Sequence, residues 1–150
     1  MHVVKHYFII ITEMSKWGTI ECECLEAHNQ YRALHGAPPL KLNAKLCRAA
    51  EAAAADYGEN IYCCTDCKKV TGSAAAKAWY NEIELYDFEK SEFSIETGHF
   101  TQLVWKDSAN LGVGYKKVGK KFYIVCHYKP SGNIKGRYKT MVLPKTQAEE

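Results

Sequence analysis

An α+β fold is what this sequence predicts, on three observations. Helical periodicity and an alanine-rich run occupy the chain as far as Phe88, period-two alternation takes over after Gly98, and the helices precede the strands instead of alternating with them. The last point argues against a parallel βαβ sheet, which needs a crossover helix between successive strands.

Taken in order, residues 1–20 read as an irregular extension. Tyr7 to Thr12 form a short apolar run, but Glu13, Met14 and Trp17 stand where a secretory signal needs small residues before its cleavage site. No convincing signal peptide is expected. The run falls far short of the roughly 18 apolar residues of a membrane span, and Met1-His2 is not a myristoylation start.

From Glu23 onward Leu25, His28, Tyr31, Arg32 and His35 recur at helical spacings, with Gly36 as a stop and Pro38-Pro39 beyond it. Asn43 is placed to cap a second helix, driven by the alanines between Ala49 and Ala55. A third starts at Thr71 or Ser73. It sets Trp79, Ile83 and Tyr86 on one face, with Glu82 bordering that stripe. After Gly98, "HFTQLVW", "LGVGYKK" and "KKFYIVCHY" are expected strands, the last two joined by a hairpin turn at Gly119. The segment "GNIKGRYKTMVLPK" reads as loop with a short strand. The globular domain is expected to span 21–145, with 146–150 as a tail.

With 47% hydrophobic and 25% charged residues, the 150-residue chain has the composition of one ordinary globular domain. A formal charge of +3 and a pI near 8.4 are too mild for a nucleic-acid footprint. Seven cysteines are many, and an odd number leaves one thiol over in an oxidised protein. Cys22-x-Cys24 and Cys64-x-x-Cys67 could in principle supply four thiolates to zinc. C-x-C is not the usual knuckle, however, and Cys63 is left without a role. The alternative is loop cysteines that are free or disulfide-paired. No Gly-x-Ser-x-Gly elbow supports a serine hydrolase.

Two carboxylates and an imidazole stand among apolar or aromatic neighbours: Glu59 in "YGEN", Glu82 in "WYNEI" and His99 in "GHFT". Such a set can form a proton-transfer or metal-binding cluster. Spacing alone leaves open the plainer alternative of capping and salt-bridging.

The fragments "AHNQYRALHGAPPLKLNAKL", "GENIY", "AWYNEIELYDF", "GHFTQLVWKDSANLGVGY" and "FYIVCHYKPSGNIKGRY" occur in that order. Together they resemble the CAP superfamily of cysteine-rich secretory proteins, venom allergens and plant pathogenesis-related proteins. The likeness is closest to the compact Golgi-associated branch and its invertebrate relatives. Gly98, His99, Phe100, Thr101, Gln102 and Trp105 carry the first signature, and Cys126, Tyr128, Gly132 and Asn133 the second.

The resemblance implies an α-β-α sandwich with a small antiparallel sheet between helical layers. It also implies a shallow cleft lined by two histidines and two glutamates, of which Glu59, Glu82 and His99 match. The segment that would carry the other histidine is missing before Gly58, and His28, His35 and His127 do not fit the vacant position. With His99 alone the metal site is incomplete, so no cofactor is expected beyond weak binding of a divalent ion such as zinc.

The expected function is therefore non-enzymatic: binding of lipids, sterols or protein partners through a groove and surface. A divalent-metal-assisted hydrolase using His99, Glu59 and Glu82 is the alternative. Lys116, Lys117, Lys120 and Lys121 fit weak attraction to an anionic membrane, or simply a solvated hairpin that resists edge pairing. A homodimer is plausible by analogy with the Golgi-associated branch. Breadth of the family points to an extracellular setting, and the closest branch to the cytosolic face of the Golgi.

Overall fold

Residues 17–52 and 58–146 are described by a computed structural model, and they form three layers, helix on sheet on helix. Helix α1 (Thr19–Leu34) starts earlier than the expected Glu23 and stops where anticipated, with Gly36 in the left-handed region at φ +66°. A two-residue strand β1 (Lys41–Leu42), too short to announce itself in sequence, precedes α2 (Ala44–Ala52). The Asn43 side chain caps α2 by accepting from Leu46 N–H at 3.1 Å. Strand β2 (Gly58–Thr65) leads to α3 (Gly72–Tyr80). Thr71 is the α3 cap, its hydroxyl accepting from Ala74 N–H at 3.0 Å. A 3-10 turn over Asn81–Leu85 continues α3. The junction before Gly58, where the expected segment is missing, runs through residues 53–57, which lie outside the described residues, as does the apolar run of the N-terminus.

One expectation fails at "HFTQLVW". Gly98–Leu103 is a helix, α4, not a strand. β-branched and aromatic residues favour strands only weakly, and tertiary contacts override that preference. Here Glu82 caps the first turn from outside and a buried arginine holds the last carbonyls, as described below. The tail also differs: Tyr138–Met141 is a short helix, α5, within the segment expected as loop with a short strand.

β3 (Asn110–Val118) and β4 (Lys121–Lys129) form the predicted hairpin around Gly119, at φ +60°. β2 pairs antiparallel with the far edge of β4, and β1 lies parallel to β3, giving the order β1-β3-β4-β2. β1 reaches only Asn110 and Leu111, so the upper half of β3 has no strand beyond it among the described residues. The exposed lysines at 116, 117, 120 and 121 line that part of the hairpin.

Alternation along the strands assigns the two faces. Leu111, Val113, Ile124, Cys126 and Tyr128 are buried beneath α1, α3 and α4, with the aromatic cluster of Trp79, Tyr80, Tyr86 and Phe100. On the other face Gly112 and Gly114 lie directly under α2. The α-β-α arrangement that the resemblance implies is present.

The buried face of α1 is polar. Cys24, His28, Arg32 and His35 are each at most 1% exposed. His35 donates from Nδ1 to the Leu143 carbonyl at 2.7 Å and pairs through Nε2 with the Tyr80 hydroxyl at 2.9 Å. Burial, foremost, holds its pKa below the ordinary 6.5. Acidification protonates this histidine in the unfolded chain first. The unfolded state then binds more protons, and stability falls as the pH drops from about 6.5 toward the lower folded value. The denaturation midpoint should decrease between about pH 7 and pH 5, with a shallower slope in His35→Gln. An unchanged slope in that variant would remove His35 as the source.

Candidate functional site

Glu82, on the 3-10 turn, reaches the start of α4. Its Oε1 accepts from the backbone N–H of His99 at 3.0 Å and of Phe100 at 3.1 Å, and its Oε2 receives His99 Nδ1 at 2.8 Å. The first N–H groups of a helix have no partner within it, and Thr97 at the N-cap supplies no side-chain bond. Glu82 provides the missing cap from another element, with a carboxylate at the positive end of the helix. The His99 ring stacks near Trp79, with centroids 6.3 Å apart, and its side chain is 40% exposed.

Residues of the second signature clamp α4 from the other side. Gln102 Oε1 accepts from Gly132 N–H at 2.8 Å, and its Nε2 donates to Ser108 Oγ at 3.2 Å, which in turn donates to the Pro130 carbonyl at 2.8 Å. Thr101 donates to Asn133 Oδ1 at 2.5 Å, while Asn133 Nδ2 donates to the Gly98 carbonyl at 2.9 Å. A Cβ on Gly132 would lie 2.7 Å from Gln102 Nε2 and 2.8 Å from Trp105 Cγ, so the loop can approach this closely only with glycine there. Phe100 fills the core among Tyr80, Tyr86 and His35, and Trp105 packs edge-on against Tyr138 at 5.2 Å.

Of the three expected cleft residues, Glu82 and His99 meet. Glu59 does not join them in a common contact. It sits opposite His127 in the β2–β4 register, and its Oε2 receives His127 Nε2 at 2.7 Å. The next residue, Asn60, points to the other side of the sheet, where its Nδ2 donates to the His99 carbonyl at 3.0 Å and the Tyr128 hydroxyl at 3.2 Å. Two His–Glu pairs therefore exist, on opposite faces of β2.

Zinc can be tested against this donor set. Among the described residues, Cys24, His28 and Cys126 are the one group of three or more whose possible ligand atoms lie within 4.8 Å of one another. Glu59, Glu82 and His99 do not converge in this way, and Nδ1 of His99 already serves Glu82. These three residues do not fit a shared zinc ion. The four-thiolate reading also fails. Cys64 and Cys67 are joined as a disulfide, and Cys24 faces Cys126 in the core. Two residues apart on a helix, Cys22 and Cys24 point in widely different directions, so they cannot close on one ion from a common face.

The residue that sequence reasoning missed is Arg32. Fully buried, it donates to five backbone carbonyls: Nε to Pro38 at 2.8 Å, Nη1 to Leu103 at 3.0 Å and Trp105 at 2.8 Å, and Nη2 to Lys106 at 3.4 Å and Ser108 at 2.9 Å. Burial lowers its pKa to about 10, which keeps it charged at neutral pH. It fixes the C-terminal end of α4 as Glu82 fixes the start.

This scaffold matches a known one. The family described as CAP, the cysteine-rich secretory protein family, covers residues 25–69 and 64–128. The chain belongs to the CAP family. The Golgi-associated plant pathogenesis-related protein 1 of Homo sapiens is 36% identical over 142 residues, covering 81% of this chain and 91% of the relative. Protein PRY2 of Saccharomyces cerevisiae is 43% identical over 90 residues, but the match covers only 26% of that protein. Among solved structures, BmVAL-1 superposes with a TM-score of 0.71 at 19% identity, over 87% of this chain and 84% of that one. The crystal structure of NaASP2 with Zn2+ gives 0.68 at 23% identity, over 87% and 88%. Both establish the fold. Secreted and Golgi-associated names both occur among the relatives. In this CAP domain no described helix is long and apolar enough to cross a membrane.

Proposed function

We propose that this CAP domain is a non-enzymatic lipid- or sterol-binding protein, and that its ligand lies in a groove along the outer side of α1. The groove carries the reading. It measures about 870 Å³, with Trp17, Leu25, Ala33, Leu40 and Leu42 as its apolar lining and Glu26, Asn29, Gln30, Lys41 and Asn110 as its polar lining. The size, and an apolar wall with several polar groups beside it, suit one small amphipathic molecule such as a sterol or a fatty acid. Its floor is fixed, because Asn29 clamps Leu40 with two bonds, Nδ2 to the carbonyl at 3.1 Å and Oδ1 from the N–H at 2.7 Å. A preformed wall loses little entropy on binding.

The capping work of Glu82 and the pairing of Glu59 with His127 support a structural role for those carboxylates. The lysines of the β3–β4 tip would add mild attraction to anionic lipid.

A fluorescent sterol and a fluorescent fatty acid, titrated separately, test the proposal. At least one should bind saturably, and Ala33→Trp, which fills the groove from an exposed helix position, should weaken it at least about tenfold. No saturable binding by the parent would overturn the reading. Loss on Phe93→Ser or Ile95→Ser instead would move the site to the exposed apolar loop beside His99, where these side chains are 58% and 86% exposed.

A further inference from the structure

The core holds a feature that the groove does not use. Cys24 on α1 and Cys126 on β4 are both 0% exposed, and their sulfurs are 3.4 Å apart across 102 residues of sequence. We infer that these two thiols are a disulfide-forming pair, which closes into a covalent staple between α1 and the central hairpin when a low-molecular-weight disulfide is present.

The fold brings the sulfurs together and holds them there. α3 begins against the same turn of α1, where a Cβ on Gly72 would stand 2.8 Å from Cys24 Cβ, so α1 has no room to shift toward α3. One turn further on, His28 anchors the helix to β4. Its Nδ1 lies 2.7 Å from the Cys24 carbonyl and its Nε2 2.6 Å from the Tyr128 hydroxyl. A carbonyl only accepts, so Nδ1 carries the proton. The Tyr128 oxygen accepts from Asn60, so its own proton goes to Nε2. Every donor in this chain then has an acceptor.

The same assignment argues against reading Cys24, His28 and Cys126 as a metal centre. Both imidazole nitrogens are engaged, and no ring lone pair is left for an ion. The sulfurs are also closer than the roughly 3.8 Å that two thiolates at zinc bond length span in a tetrahedral site. Of the pair, Cys24 has its pKa drawn down, first by the hydrogen bond from Cys126, while burial pushes Cys126 up.

The chemistry is thiol–disulfide exchange. One of the two thiols, as its thiolate, attacks one sulfur of oxidised glutathione, breaking its S–S bond, forming a mixed disulfide and releasing one glutathione thiolate. The other, deprotonated, attacks the protein sulfur of that mixed disulfide and expels the second glutathione. The two protein thiols are oxidised, the small disulfide is reduced, and the two protons end on the released thiols. Because both sulfurs are buried, the first step takes place with α1 undocked, during folding or local opening.

The test is to refold the full chain in a glutathione redox buffer, quench it with an alkylating reagent, and map peptides under non-reducing conditions. The expected result is a cross-linked pair of peptides carrying Cys24 and Cys126. It should be accompanied by a rise in melting temperature of about 10 °C, as befits closure of a long loop. Reductant should abolish both, and Cys126→Ala should lack the rise. Should Cys126→Ala fail to fold, the peptide map of the parent still decides. Alkylation of both thiols after oxidative refolding would overturn the inference. So would chelator-sensitive protection of the thiols, which would assign them to a metal.

Discussion

Arg32→Met should destabilise the protein by about 3–5 kcal/mol, read as a fall in the midpoint of urea or thermal denaturation. Five carbonyls of the segment from Pro38 to Ser108 have this guanidinium as donor. Methionine fills similar volume and donates nothing, so buried acceptors are left with no partner. Arg32→Lys separates charge from geometry. An ammonium keeps the cation beside the negative end of α4, but it has three donors on one point against a planar fork. Lysine should therefore recover less than half of the loss. Recovery to within about 1 kcal/mol of the parent would mean that charge, and not the fork, holds the 103–108 turn. In either variant α4 should loosen before the sheet does, since its C-terminal carbonyl is among those released.

How much of this was legible beforehand depends on how local each cause is. α2, α3 and the hairpin announced themselves through Asn43, Thr71, the alanine run and Gly119, because caps, propensity and turn conformation act within a few residues. α4 did not. Its residues look like a strand, and what makes them a helix is Glu82, 17 residues earlier, and Arg32, 71 residues before Leu103. The Glu82–His99 pair could be anticipated only through the family resemblance. Nothing in sequence joined Glu59 to His127, because that contact follows from the β2–β4 register. One signal for Arg32 was available. Cys24, His28, Arg32 and His35 recur at steps of four, four and three along one helix, and all of them face inward. A polar stripe with helical spacing marks a buried hydrogen-bonding face, which a search for apolar periodicity passes over.

Gly112→Val is the second large effect, expected at about 3 kcal/mol or more. Gly112 and Gly114 let the backbone of α2 rest on β3 with no side chain between. A Cβ on Gly112 would run into the carbonyl group of Leu46, and one on Gly114 would stand 2.7 Å from the Ala50 carbonyl carbon. Those obstacles are helix backbone, which cannot rotate aside as a flexible side chain would. The only relief is to lift α2 from the sheet, which opens Leu46, Cys47 and Ala50 to water and strips the Val113 N–H of its 3.3 Å bond to Cys47 Sγ. Even Gly112→Ala should cost about 1–3 kcal/mol. Gly119→Ala is the control: it has open space on every side and only its φ of +60° to oppose the substitution. Its cost should stay near 1 kcal/mol. A Gly112→Ala variant no worse than Gly119→Ala in denaturation midpoint would show that α2 can ride further from the sheet than this packing allows.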